Sequence, residues 1–192
     1  MKIEVNPERA QYPMPCCVVG ANVNEKPNFL AVAWFTMVNP KPPYIAVSLG
    51  RSHYTNAGIK ANGTFSVNVP SAALVEKVDY CGILSGKKAD KSRVFDVFYG
   101  KLKTAPMAKE CPFNLECRLV QTVDLPADEL FIGEILAAYC DGDCVTDGLP
   151  NLAKINPFVL SLTDKRYRLL GADIGGAWSI GANVKRSRGD IF

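Results

Sequence analysis

Histidine is almost absent from this chain: His53 is the only one among 192 residues. A serine or cysteine hydrolase needs a base beside its nucleophile, and any such machinery here would rest on that one side chain. A Cys/His zinc site has equally little material, so no metal centre is expected. The carboxylates are scattered, with no pair spaced for glycosidase chemistry. No catalytic side-chain acid or base is therefore assigned. No apolar run approaches the roughly 18 residues of a membrane-spanning helix. Met1-Lys2 leads into Glu4, Asn6, Pro7, Glu8 and Arg9, where a secretory signal would carry its apolar region, so a cytoplasmic chain is expected. There is no G-x-G-x-x-G and no Walker sequence, which argues against a Rossmann site or a P-loop. Long basic runs are missing too, and the net charge is only +3. A nucleic-acid partner is not expected on that balance. The short cluster Lys185-Arg186-Ser187-Arg188 reads as a solvated terminus.

What is present is ordinary for a globular protein: 48% hydrophobic and 21% charged residues. The length suits one domain over residues 1–192 with a sizeable core. The seven cysteines are an odd number, and none forms a C-x-x-C pair. They fit reduced thiols better than a disulfide framework. Cys140 and Cys144 flank the loop Asp141-Gly142-Asp143 and are the pair most open to another role.

Turn residues divide the chain into short segments. Cys16 to Ala21 reads as a first strand, Asn22 to Pro27 as a polar hairpin loop, and Asn28 to Phe35 as a second strand. Pro40, Pro42 and Pro43 end it, and Tyr44 to Leu49 forms a third, with Ile45, Val47 and Leu49 on one face and Ser48 on the other. Thr55 to Asn62 predicts a short helix with Thr55 as its N-cap and Gly63 as its stop. A half-buried strand follows at Phe65, Val67 and Val69. Ser71 opens a helix running to about Leu84, with Leu74, Val78 and Cys81 on one face. Two long strands come later, one through Leu115, Cys117 and Leu119 and one from Glu129 to Tyr139. The second is apolar on both faces except for Glu134, which predicts a barrel wall covered by a helix or by another subunit. Pro157 to Leu162 is a last strand. Many short strands joined mostly by hairpins, with a few helices, predict a mainly β protein built as an antiparallel barrel with peripheral helices.

Three segments carry the types of group that a phosphate-bearing aromatic ligand needs. After the third strand, Ser48 and Ser52 offer hydroxyls, Arg51 a planar fork, and Gly50 close backbone approach. Tyr54 and Thr55 follow at a helix start, whose free N–H groups favour an anion. Ala33-Trp34-Phe35-Thr36 could wall a flat ring and read its edge with backbone groups. Ser85-Gly86-Lys87-Lys88-Ala89-Asp90-Lys91 could reach a phosphate or a ring edge. Each segment taken alone is equally a plain loop or core strand.

Their order along the chain resembles the flavoredoxin and flavin reductase-like family with its FMN-binding split barrel. The residues that carry the resemblance include Lys26-Pro27-Asn28, Ala33-Trp34, Lys41-Pro42-Pro43, Val47-Ser48-Leu49, Phe65-Ser66-Val67-Asn68-Val69-Pro70-Ser71, Asp90-Lys91 and Phe131-Ile132-Gly133-Glu134-Ile135. The resemblance implies a homodimeric split β-barrel with one FMN per subunit. Asn28, Ala33, Trp34, Phe35 and Thr36 would face the ring and ribityl chain. Ser48, Leu49, Gly50, Arg51, Tyr54 and Thr55 would cradle the phosphate. Ser85 and Lys91 would close the site, with Lys91 beside the pyrimidine edge. Leu30-Ala31 stands where related sequences often carry Met-Thr, so one hydroxyl contact is missing. The implied activity is electron transfer or NAD(P)H-dependent flavin reduction, with NAD(P)H or a redox protein as electron partner. FMN storage without catalysis and a flavin-free dimeric scaffold are the alternatives.

Overall fold

A computed structural model of the chain describes residues 1–9 and 12–182; the Lys185–Arg188 cluster lies outside them. A short strand β1 (Met14–Pro15) leads into a hairpin of β2 (Cys17–Val23) and β3 (Lys26–Val32), and β4 (Phe35–Pro40) and β5 (Pro43–Gly50) form a second hairpin. Helix α1 (Tyr54–Asn62), β6 (Thr64–Val69), a 3-10 turn (Ala72–Leu74) and α2 (Val75–Ile83) follow. Short β7 (Val97–Phe98) and β8 (Met107–Ala108) precede the longest strands, β9 (Phe113–Asp124) and β10 (Asp128–Cys140). The chain continues through β11 (Val145–Thr146), β12 (Leu149–Pro150), α3 (Leu152–Ile155), β13 (Phe158–Ser161) and β14 (Arg166–Leu169).

Seven strands form one antiparallel sheet in the order β3-β2-β6-β9-β10-β5-β4. Its two edge strands, β3 and β4, are neighbours in sequence. The predicted strand Asn28–Phe35 is therefore two strands, broken at Ala33-Trp34. The sheet curls until β3 approaches β5, but no β3–β4 ladder closes it; on the link between the two edges the Trp34 carbonyl accepts from the Ser48 N–H at 2.9 Å and so continues the β4–β5 ladder. The predicted loop Asn22–Pro27 is shorter than expected. Only Asn24 and Glu25 form the turn, both at positive φ (49° and 64°). That is the backbone a two-residue hairpin turn needs to match strand twist, and Asn suits it.

Alternation along the strands produces two cores. Cys17, Val19, Leu30, Val47, Phe65 and Phe131 fill the barrel. Val18 and Phe29 point the other way, against Val78 and Cys81 of α2, Phe95 and Phe158. The rings of Phe29 and Phe95 meet edge to face at 5.2 Å. Val78 and Cys81 are thus the buried face of α2, as the helical spacing required. On β10, Phe131 and Gly133 are buried, while Leu130 and Ile132 are half-buried on the opposite face.

Helix α1 begins one residue earlier than predicted. His53 occupies the cap position without a side-chain bond, and Thr55 lies buried in the first turn. Gly63 ends the helix in the left-handed region at φ 65°. Within α1, Gly58 lets the helix rest directly on β2: a Cβ there would lie 2.3 Å from the Asn22 carbonyl oxygen and 2.8 Å from Val23 Cγ2. Helix propensity alone predicts that Gly58→Ala stabilises by up to about 1 kcal/mol. The backbone clash should win, giving a net loss of about 1–3 kcal/mol, read as a lower urea midpoint. A raised midpoint would show that α1 can lift off β2 freely.

Candidate functional site

The seam between β3 and β5 opens into a cleft of about 330 Å³. Leu30 to Trp34 form one side, Ser48 to Gly50 and His53 another, and Val78 and Gly82 of α2 a third, with Tyr167 and Asp128 at the rim. The walls are mainly apolar. Ala33 is buried at the back and Trp34 is half-exposed at the mouth. A polar pocket of about 170 Å³ adjoins it, sharing Leu30, His53 and Gly82 and adding Ser52, Tyr54, Thr55, Ser85 and Lys91. Beyond it lies a wider trough of about 390 Å³ that shares Tyr54, Gly86 and Lys91 and carries Lys26, Lys87 and Lys88. The three spaces line up as apolar wall, hydroxyl groups at a helix start, and a cationic end.

The predicted residues divide by what their side chains do. Ala33, Trp34, Ser48, Leu49 and Gly50 meet in the apolar cleft. Tyr54, Thr55, Ser85 and Lys91 meet in the polar pocket, and Asn28 lines the trough. Phe35 turns inward instead and packs against the barrel core. Thr36 is exposed on β4 and lines none of the three spaces.

Several of these groups are already engaged. Ser48 Oγ donates to Asp128 Oδ2 at 2.9 Å. Asn28 Nδ2 donates to the buried Thr55 Oγ1 at 2.7 Å, tying β3 to α1. Arg51 is not brought to the cleft: its Nε and Nη2 donate to the Leu125 carbonyl at 3.0 and 2.7 Å, and Nη1 lies 3.3 Å from Asp124. It clamps the β9–β10 turn, and such exposed pairs contribute little to stability.

Lys91 is almost fully buried. Its ammonium donates to the Phe29 carbonyl on β3 at 3.0 Å and to the Cys81 carbonyl at 2.8 Å. Cys81 lies among the last four residues of α2, whose carbonyls lack partners within the helix. Lys91 therefore caps α2, where a cation also suits the helix dipole, and pins it to β3. Burial pulls its pKa below the ordinary lysine value.

His53, Asp128, Gly82 and Tyr167 complete the cleft and were not assigned to it from sequence. Asp128 is 80 residues from Ser48, so only the β5–β10 register brings them together. His53 did carry a signal, as the one imidazole inside the polar loop. Partial burial first, and Lys91 second, hold its pKa below the usual value, with Asp128 opposing. It therefore stands neutral at the mouth above pH 7.

The loop that carries Gly50 and His53 rests on a buried polar group. Asn56 Nδ2 donates to the Gly50 carbonyl at 3.1 Å and to Glu129 Oε2 at 2.8 Å, and Lys60 pairs with Glu129 Oε1. These hydrogen bonds, Lys60 first, hold the Glu129 carboxyl below the usual range although burial opposes them. A carboxylate with a depressed folded pKa stabilises fully above its unfolded value of about 4.3. That contribution disappears as pH falls through the folded value. Glu129→Gln should therefore flatten the loss of urea stability below about pH 4.3, relative to the parent, and equal acid slopes would remove the assignment.

All seven cysteines are free thiols. Five are buried, and burial raises Cys16, at the back of the cleft, to about 12. Cys140 and Cys144 are half-buried and away from the cleft. Among the described residues no group of three or more His, Cys, Asp or Glu side chains could hold a metal ion, and no helix is long and apolar enough to cross a membrane.

The sequence model of the flavin reductase like domain matches residues 9–170. The chain belongs to the flavin reductase-like family. Flavoredoxin from Methanosarcina acetivorans superposes with a TM-score of 0.94 at 46% identity, covering 96% of this chain and 99% of that one. Flavoredoxin of Desulfovibrio vulgaris (Miyazaki F) gives 0.87 at 34% identity, covering 94% and 100%. An uncharacterised protein from Archaeoglobus fulgidus is 36% identical over 143 residues, 73% of this chain and 80% of its own length. The fold is thus the flavin reductase-like split barrel, and the open β3–β4 seam is the split. The family resemblance was legible in the order of the short motifs.

Proposed function

We propose that the chain binds FMN along the three connected spaces and serves in electron transfer, as a flavoredoxin-like carrier reduced by NAD(P)H or by a redox protein. The observation that carries this is the sequence of chemistries along one groove: apolar walls at Ala33, Trp34 and Leu49, hydroxyls at the start of α1, then lysines. That donor set fits a flat ring joined through a polyol to a phosphate. Trp34, Ala33, Leu49 and Gly50 would hold the ring. Ser52, Tyr54, Thr55 and Ser85 would hold the ribityl and phosphate end, with Lys26, Lys87 and Lys88 supplying the charge that Arg51 spends elsewhere. Bound flavin supplies the redox chemistry, accepting a hydride or single electrons. The chain's own groups bind and orient: Lys91 fixes the α2 wall, neutral His53 and the Ser48–Asp128 pair present hydrogen-bonding groups at the mouth, and the apolar walls exclude water. No side-chain acid or base is needed, in keeping with the near absence of histidine. The half-buried outer face of β10 supports a homodimer, and seven reduced thiols support a cytoplasmic location.

Purified protein should be yellow, and anaerobic NADH or NADPH should bleach the flavin band. A colourless chain that takes up no added FMN would sink the proposal. Bound flavin that neither nucleotide nor a reduced redox protein can bleach would leave a store of FMN rather than a carrier.

A further inference from the structure

Residues 170–182 are exposed throughout. After β14 the backbone runs out with Leu170 and Ile180 about half-exposed, Ile174 95% exposed and Trp178 104% exposed. The hydrogen bonds described within this stretch are local: Ser179 and Ile180 N–H groups and Ser179 Oγ donate to the Gly176 carbonyl, and the Ala182 N–H donates to the Ser179 carbonyl. They fold a small turn that holds Trp178 outward at φ 58°. A left-handed backbone is costly for a residue with a Cβ and persists only where something over-determines it. Here a tryptophan sits in it with no side-chain burial in return. Asp173 is the one charged side chain in the stretch.

The same chain leaves an apolar surface of matching character. Val123, Leu130 and Ile132 share the outer face of the β5–β10–β9 sheet with Ser48, Gln121 and the buried Ala46, because Leu130 pairs with Ser48 and Val123, and Ile132 with Ala46 and Gln121. Val123, Leu130 and Ile132 are half-buried there. Residues 170–175 belong to no helix or strand, and at full extension they would reach about 20 Å, against a radius of gyration of roughly 16 Å for a chain this long. A segment of that reach, with one charged side chain between residues 170 and 182 and a presented Trp178, fits a second copy of this chain, since a two-fold pair uses both arms and both faces and closes.

We infer that residues 170–182 are an exchanged arm, each lying across the outer face of β10 on the other copy with Ile174 and Trp178 as anchors. The inference rests on the homodimer reading above and says what fastens it. Three proteins test it by sedimentation velocity across the micromolar range: the full chain, an arm variant (Ile174→Ser with Trp178→Ser), and a face variant (Leu130→Lys with Ile132→Lys), each checked for native circular dichroism. The arm variant should dimerise at least tenfold more weakly. An equimolar mixture of arm and face variants should pair more tightly than either alone, because one intact arm–face contact remains in the mixed dimer. In the Trp34→Phe protein, the remaining Trp178 emission should move to shorter wavelength as concentration rises through the dimer range. A monomeric full chain would overturn the dimer and the arm together. A dimeric full chain with an unaffected arm variant, a mixture that gains nothing, or an unshifted Trp178 emission would overturn the arm alone.

Discussion

Replacing Phe131 by alanine should cost about 3–5 kcal/mol of folding free energy. Phe131 is fully buried at the centre of β10, between β5 and β9, and belongs to the same cluster as Val47, Phe65 and Cys117. Its loss leaves a void in a sheet that cannot collapse inward, because both neighbouring strands are fixed by their ladders. Domains are typically stable by only about 5–15 kcal/mol, so the variant should lose roughly a fifth or more of its stability. Chemical denaturation of the apo-protein measures this directly. A loss below about 1 kcal/mol would mean that the barrel interior repacks.

Lys91→Met should follow at about 2–3 kcal/mol, the scale of hydrogen bonds to a charged group. The substitution keeps an unbranched side chain one atom shorter but leaves the Phe29 and Cys81 carbonyls without the ammonium. α2 then loses its C-terminal cap and its tether to β3, and with it the Val78–Gly82 wall of the cleft. Flavin binding should weaken together with stability. A spectroscopic signature separates this from a simple lost contact to a ligand. Lys91 contributes to the depressed pKa of His53, so in the apo-variant the single imidazole should titrate at higher pH by NMR. An unmoved His53 titration with an unchanged urea midpoint would show that Lys91 does not act inside the fold.

The sequence reading and the structure agree most where the signal is local. Ile45, Val47 and Leu49 alternate and lie inward; Val78 and Cys81 recur at helical spacing and pack on the sheet. Gly63 ends α1 because the left-handed region suits glycine. The boundaries were less legible. Asn28 to Phe35 looks like one strand because nothing in Ala33-Trp34 signals a break; the break exists because the two edges of a curled seven-stranded sheet diverge there. Asn22 and Pro27 look like loop residues, yet they sit in strands because a hairpin turn of two residues suffices.

Side-chain placement was less legible still. Arg51 has the chemistry of a phosphate ligand, but the β9–β10 turn offers it a carbonyl and a carboxylate at closer range. Phe35 is one residue from Trp34, and strand alternation sends the two to opposite sides. Lys91 sits in a polar segment yet ends up buried, because α2 and β3 present it with carbonyl oxygens.

By itself the sequence determined the class of the fold, the family, and the groove's main residue types, since these depend on hydrophobic period, turn chemistry and the order of short motifs. Tertiary structure alone decided which of those side chains face the cleft and which are consumed by the fold. Hydrogen-bond partners such as Asp128 for Ser48, or Glu129 for Asn56, come from strands more than seventy residues away, and a side chain's role is set by the nearest competing partner.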